Sequence, residues 1–406
     1  MNKVLFVDDD ENILNGLRRR LHARRPAWKT HFATSGKMAL EMCNSTDMDV
    51  VVSDMRMPGM DGSALLEQIR IAHPATTRII LSGFAEDEAI LRTVGPAHQY
   101  LAKPCDEGLL VDTIEHALEM KDMLQGPGLR ALMSGIDAIA SPPDTYMRLV
   151  QALEDPMTGN DKIAAIVSAD IALTAEVLKL TNSAYFAITQ KISSVSHAVR
   201  MIGMDTLKSL ALFIGLFQSF TGPGHITQRL KLLCHRSQQI GVTAALIAEA
   251  EGLGKQIAAM VPSAGMLSHI GSLVLMMNKT SEMQDVVARV EHEDVSIIDA
   301  ETEQFGAAHP EIGAYLLGLW GFPGPVVQAV AFHHSPWRVP ERNMTPLAAI
   351  YFAQLLCRDI NNQKRAKPFA EQIDTAYLAE IGKTDRLEMW REIAIKVNEQ
   401  YKTLTR

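Results

Sequence analysis

Five residues of this 406-residue chain have types and settings suited to holding a phosphoryl group. Asp8 and Asp9 follow the apolar run VLFV, Asp54 follows VVVS, Ser82 follows IIL, and Lys103 follows YLA. Clustered carboxylates repel one another and create a strong field for a hard, oxygen-loving cation. Magnesium, bound by a few carboxylates, waters and a phosphoryl oxygen, fits that field. Such a cation neutralises charge on a transferring phosphoryl group and lets the Asp54 carboxylate act as nucleophile. Lys103 supplies a second positive contact, and Ser82 a hydrogen-bond donor. The bound group adds about 1.5 to 2 negative charges and three acceptor oxygens, enough to reorder nearby loops. A lone aspartate after a strand is ordinarily a turn residue or a helix cap. Five such residues at strand ends need another explanation.

The elements that must position them can be read from periodicity. Residues 4–7, 50–53, 78–82 and 99–102 form short buried strands, and 31–33 a weaker one. Ile13, Leu17 and Leu21 give one helix an apolar face; Leu65, Leu66 and Ile69 begin another; Leu110, Ile114 and Leu118 line a closing one. Alternating strands and helices predict an α/β doubly wound, five-stranded parallel sheet with helices on both faces. In such sheets the ligand site forms at the carboxyl ends of the strands.

The segments VLFVDDD, VVVSDMRMPGMDG, IILSG and YLAKP, in that order, resemble the receiver domain of bacterial two-component response regulators, a flavodoxin-like fold, over residues 1–121. The resemblance implies phosphorylation of Asp54 by a sensor histidine kinase. It implies a magnesium ion on Asp8, Asp9, Asp54 and the backbone carbonyl of Met55, with Ser82 and Lys103 contacting the phosphoryl group. It makes Tyr100 the aromatic whose rotation accompanies activation, and the Lys103–Pro104 bond cis. Met55 and Arg56 match positions that tune the lifetime of the phosphate.

Residues 122–140 read as a linker, where Gly126, Pro127 and Gly128 should break the preceding helix. From residue 141 to 340 strand alternation nearly vanishes. Stripes recur at Tyr146, Leu149, Val150 and Leu153; at Ile163, Ile166 and Val167; and at Leu173, Val177, Leu178 and Leu180. Val199, Ile202 and Met204 precede the very apolar LKSLALFIGLF. His309 and Pro310 start a helix, with Pro310 at its first position, and Ile312, Tyr315, Leu316 and Leu319 share its face. Val326, Val327 and Val330 begin the next. Leu347, Ile350, Tyr351 and Leu355, then Trp390, Ile393 and Val397, extend the pattern through residues 341–406, which complete the bundle. The expectation is an all-α domain.

SPPDTYMRLVQALEDP, IVSADIALTAEVLKLTNSAYF, ISSVSHAVRMIGMDTLKSL, AGMLSHIGSLVL and HPEIGAYLLGLWGFPGPVVQAVAFHHSP resemble the HDOD domain, a relative of the HD phosphohydrolases that usually lacks their catalytic metal residues. The wider superfamily would place His at 268 and Asp at 269; this chain has Ser268 and His269. His235, His309, His333 and His334 remain at superfamily-like positions. With Ser268 and His269 they would make a vestigial HD site, and each of the four has a plain structural reading as a core, capping or surface histidine. Several could converge on a transition metal, but the resemblance brings no certain cofactor to this domain. It implies a partner-binding output role, the partner being an unidentified protein. Asn182 and Ser183 suit hydrogen bonding at a helix end.

The composition, 47% hydrophobic and 21% charged with net charge −8, predicts two or three folded domains and gives no basic tract for nucleic acid. Four cysteines without CxxC spacing suit a reducing compartment. No membrane is expected, the longest apolar run being too short to span one, and the location expected is cytoplasmic. No helix-turn-helix, GGDEF-type or EAL-type stretch is visible, so direct DNA binding is not expected. Pairing with a second copy is a family expectation. Two alternatives to a non-catalytic response regulator stay open: a receiver-gated metal-dependent phosphohydrolase acting on a cyclic dinucleotide, and a constitutive scaffold with a silent receiver.

Overall fold

The computed structural model describes residues 2–24, 28–83, 97–103, 105, 107–123, 140–141, 148–149, 151–153, 155, 157–182, 191–203, 218–219, 224–293, 295–361 and 374–404. The chain begins with β1 (Asn2–Val7), α1 (Glu11–Arg24), β2 (Trp28–Ala33), α2 (Gly36–Ser45), β3 (Val50–Asp54), α3 (Gly62–Ala72), β4 (Thr77–Gly83), β5 (Gln99–Lys103) and α4 (Glu107–Met123). The five strands form one parallel sheet in the order β2-β1-β3-β4-β5. Alternate residues feed opposite faces. Leu5, Val7, Val51 and Ile80 enter one core, and Val4, Phe6, Val50, Val52, Ile79 and Leu81 the other. Burial on both faces explains why these strands read as continuous apolar runs rather than as alternating ones.

The strands run a residue or more beyond their expected bounds, and β2 starts at Trp28 rather than at 31. The stripe expected on α1 is rotated. Ile13 is 39% exposed, while Leu14 and Leu21 are buried. Position 14, seven residues before Leu21, is the one that keeps helical phase with the core. The other two stripes hold: Leu65, Leu66, Ile69, Leu110, Ile114 and Leu118 are all buried. Ser35 caps α2 by accepting from Met38 N–H, and Asp61 caps α3 by accepting from Ala64 N–H.

The second part of the chain is helical. It comprises α5 (Asn160–Ser168), α6 (Ile171–Asn182), α7 (Val195–Ile202), α8 (Gly224–Ala250), α9 (Lys255–Ala258), α10 (Val261–Leu267), α11 (Ile270–Asn278), α12 (Thr280–His292), α13 (Ile297–Phe305), α14 (His309–Leu319), α15 (Gly324–Phe332), α16 (Pro346–Asn361), α17 (Thr375–Glu380) and α18 (Leu387–Leu404). One departure from all-α is a two-residue parallel pairing of β6 (Ala140–Ser141) with β7 (Gln218–Ser219). A single core runs from Leu149 to Ala394 and includes Leu173, Ile270, Ile312, Val330, Ile350 and Trp390. The long α8 packs on α10, α16 and α18, so residues before and after 340 share that core. The apolar stretch Lys255–Asn278 is long enough to cross a membrane, yet it is split among three helices and most of it is buried inside the bundle.

Tyr146, Val150, Met204, LKSLALFIGLF, Ser183, Pro104 and the 126–128 break lie outside the described residues. Asn182 ties the end of α6 to the segment before α7. Its amide donates to Leu178 O at 2.9 Å and Ile192 O at 2.6 Å, and its carbonyl accepts from Ile192 N–H at 2.6 Å. Asn182→Ala strands those backbone groups and is expected to cost about 2 kcal/mol, read as a shifted urea midpoint; an unchanged midpoint would count against this role.

The two parts touch. Helix α4 packs against α14. A Cβ placed on Gly321, just past α14, would lie 3.6 Å from Gln99 Oε1 at the start of β5.

Candidate functional site

The acid cluster sits where the sheet topology puts it. β1 is flanked by β2 and β3, so the order reverses there, and in such sheets ligands bind at the carboxyl ends of the strands beside that reversal, here β1 and β3. Asp8 directly follows β1, Asp54 ends β3 and Lys103 ends β5. Asp8, Asp9 and Asp54 each offer a carboxylate oxygen within 4.8 Å of the others. Asp8 and Asp54 are largely buried and Asp9 is exposed. Lys103 Nζ donates to Asp54 Oδ1 at 2.6 Å and to Asp8 Oδ2 at 2.9 Å.

Burial pushes the Asp54 carboxyl above its ordinary range, against the pull of Lys103. Burial also pulls the Lys103 ammonium down, but hydrogen bonds and charge from Asp54 and Asp8 more than offset this and leave it raised. These hard oxygen donors suit magnesium. The acids stand close enough to share one ion, and the lysine already neutralises part of their repulsion.

Met55 O, the expected carbonyl ligand, accepts from Gly62 N–H at 2.9 Å, which leaves its second lone pair available. Helix α3 starts so close beneath β3 that a Cβ on Gly62 would fall 2.1 Å from Asp54 O. Only glycine permits that approach. The register pairs Ser82 with Ala102 and Ile80 with Tyr100. Ser82 thus stands at the same end of the sheet, while the Ser82 and Tyr100 side chains lie outside the described residues.

A second cluster lies in the helical part. His269, His309, His333 and His334 each offer a ring nitrogen within 4.8 Å of the others. His269 precedes α11, His309 opens α14, and His333 and His334 follow α15. His309 Nε2 stands 3.3 Å from His333 Nε2 and 3.2 Å from His334 Nε2. The His269 and His309 rings are stacked, with centroids 5.4 Å apart. Burial, then the neighbouring histidines and Arg236, holds His269 and His334 well below the ordinary imidazole value. Burial, then His309, pushes His333 down to about 3. These three rings are therefore neutral at pH 7.

Two expectations need correction, one at His235 and one at the start of α14. His235 does not join the cluster. It lies on α8 beside Arg236, whose charge reaches the cluster, and one step along a helix turns a side chain by about 100°. Ser268 is not a ligand position: its hydroxyl donates to Gly265 O at 2.8 Å and meets His269 Nδ1 at 2.9 Å, fixing that ring. His309 occupies the first position of α14 and Pro310 the second, because Ala308 is the N-cap. Sequence reasoning also missed Glu301 and Gln354. Glu301, fully buried on α13, takes the His309 backbone N–H at 2.8 Å and its Nδ1–H at 2.6 Å. Gln354 on α16 sits 3.2 Å from His334 Nδ1. A lone glutamine in the apolar run LAAIYFAQLLC was a usable signal; a glutamate in the polar helix α13 was not.

Comparisons with known proteins agree with this division. The family model described as the response regulator receiver domain matches residues 4–115, and that of the HDOD domain matches residues 139–336. An uncharacterized protein of Treponema pallidum (strain Nichols) is 28% identical over 238 residues, covering 56% of this chain and 44% of that one. The DNA-binding transcriptional regulator NtrC of Escherichia coli (strain K12) is 38% identical over 125 residues, covering 30% of this chain and 26% of its own length. The chain thus spans less than half of these curated relatives. Among solved structures, the signal receiver domain of an HD domain-containing protein from Pseudomonas fluorescens Pf-5 is 33% identical with a TM-score of 0.29, covering 30% of this chain and 97% of that one. A virulence factor from Campylobacter jejuni subsp. jejuni is 19% identical with a TM-score of 0.49, covering 65% of this chain and 93% of that one. The chain joins a response regulator receiver domain, over residues 4–115, to an HDOD domain over residues 139–336.

Proposed function

We propose that this protein is a response regulator that takes a phosphoryl group on Asp54 from a sensor histidine kinase and relays that state through its HDOD domain to a protein partner. An Asp54 oxygen attacks phosphorus, the phosphorus–nitrogen bond of the donor phosphohistidine breaks, and the imidazole leaves. The product is an acyl phosphate on Asp54. Asp8, Asp9, Asp54 and Met55 O would hold a magnesium ion, which supplies charge neutralisation at the phosphoryl oxygens when bound. Lys103, already within 2.6 Å of Asp54, holds the acceptor in place and meets the incoming negative charge. The observation that carries this reading is the bridge from one ammonium to two carboxylates drawn from separate strand ends.

The HDOD domain is read as an output module without turnover. The four-histidine group contains no carboxylate, and hydrolysis of a phosphodiester needs a metal that keeps an open position for water.

Acetyl phosphate with magnesium, followed by intact mass, tests the receiver chemistry. One added phosphoryl group on the wild type and none on Asp54→Asn is the expected result. Equal labelling of both, or of neither, would remove Asp54 as acceptor and leave the receiver silent.

A further inference from the structure

We propose that His269, His309, His333 and His334 are the ligands of one first-row transition ion in a closed tetrahedral site, with zinc the best match to four imidazoles. The site stands apart from the chemistry at Asp54 and does not depend on it.

The distances carry the first part of the argument. A zinc–nitrogen bond is about 2.0 to 2.1 Å, so two imidazole nitrogens on a tetrahedral ion lie roughly 3.3 Å apart. His309 Nε2 lies 3.3 Å from His333 Nε2 and 3.2 Å from His334 Nε2. These separations match the edges of such a tetrahedron.

The proton positions carry the second part. Val330 O, 2.8 Å from His333 Nδ1, can only accept, so His333 Nδ1 carries a hydrogen and Nε2 a lone pair. Glu301 Oε2 sets His309 the same way. The two Nε2 atoms therefore face each other across 3.3 Å, a spacing at which one cation between them can bond both. The Ser268 hydroxyl spends its one hydrogen on Gly265 O and so accepts from His269 Nδ1–H, which leaves His269 Nε2 as a further donor. Gln354 completes the set. Its Nε2 meets His334 Nδ1 while its Oε1 is buried without a partner. Turning that amide over, which changes no shape, places Oε1 on His334 Nδ1–H and frees His334 Nε2 for the ion.

The third part is charge. Glu301 is fully buried, its Oε1 has no partner, and among the described residues no Lys or Arg pairs with it. A dication bound to His309 balances that carboxylate, in the carboxylate–histidine–metal arrangement that fixes ring orientation and raises ligand basicity. Four protein ligands fill a tetrahedral ion, which makes the site structural. It would pin together the starts of α11 and α14 and the end of α15.

Metal content and cobalt substitution test this on the full chain, freed of any histidine tag and dialysed in magnesium buffer. One equivalent of transition metal per chain, and a visible tetrahedral absorption band on cobalt loading, are expected. His309→Ala and His333→Ala should abolish both. Glu301→Gln should keep the fold and weaken affinity about 10- to 100-fold. The variant Asp8→Asn/Asp54→Asn should keep the band, which separates this site from the acid cluster even if the histidine variants do not fold. No band from folded wild type at stoichiometric cobalt, or loss of the band in the acid-cluster variant, would overturn the proposal.

Discussion

Gly271→Ala is expected to lower the melting temperature of the HDOD domain by roughly 6 to 12 °C, a loss of about 3 kcal/mol. A Cβ at Gly271 would fall 2.1 Å from His309 O and 2.9 Å from His309 Cα. The obstacle is backbone, so no rotamer change relieves it. Helix α14 would have to withdraw from α11 by more than about 1 Å to restore an ordinary contact. His309 rides on the displaced end, so its separations from His333 and His334 should open as well, and transition-metal content should fall with stability. Gly224→Ala, where an added Cβ meets nothing within 4 Å, is the matched control and should stay within about 0.5 kcal/mol of wild type. Equal melting of Gly271→Ala and wild type would show that α11 and α14 can part freely.

Glu251→Ala should destabilise the same domain by about 3 kcal/mol at pH 7. Glu251 follows α8 and its side chain is 1% exposed. Oε1 accepts from Arg386 Nε and from Trp390 Nε1, each at 2.9 Å, and Oε2 pairs with Lys383 Nζ at 2.6 Å. One carboxylate therefore latches the start of α18 onto the end of α8, and its removal leaves the N–H of the fully buried Trp390 without its partner. The two cations are about a third exposed and return to water, which keeps the expected loss at the low end for a buried ion pair.

The pH dependence has a definite sign. Burial raises the Glu251 carboxyl, but Lys383, Arg386 and Trp390 prevail and hold it below its ordinary value near 4.5. Its contribution is thus complete above that value and is lost as pH falls through the folded-state value. Urea unfolding should show a wide gap between wild type and Glu251→Ala at pH 7 that narrows below about pH 4.5. A gap constant with pH would mean that packing, and not charge, is what Glu251 provides.

The receiver half was legible because its chemistry is written at strand ends. Asp8, Asp54 and Lys103 each close an apolar run, and a parallel sheet brings such ends together whatever the loops do. The α1 stripe was misread because Ile13 and Leu14 are both apolar, and neighbours in sequence cannot reveal which of them faces the sheet. The histidine cluster was legible only as scattered candidates. His269, His309 and His333 come from separate helix ends, and no local spacing announces that these ends converge. Position within a resemblance carried His235 along with the others, and only the turn of α8 removed it. The polar groups that set the rings, Glu301 and Gln354, were invisible for a related reason: burial of a single polar side chain is decided by distant packing.

Helix α14 belongs to one domain and touches the other. Along its flank lies α4, the last helix of the receiver, and at its first residue stands His309. A rigid rod shared in this way makes each domain part of the other's environment. Whatever work the receiver does on α14 when its charge changes must appear, with equal size and sign, as a changed affinity of the receiver for its own ligands when the far end of the rod is clamped. If the proposed relay runs through this contact, it must run in both directions.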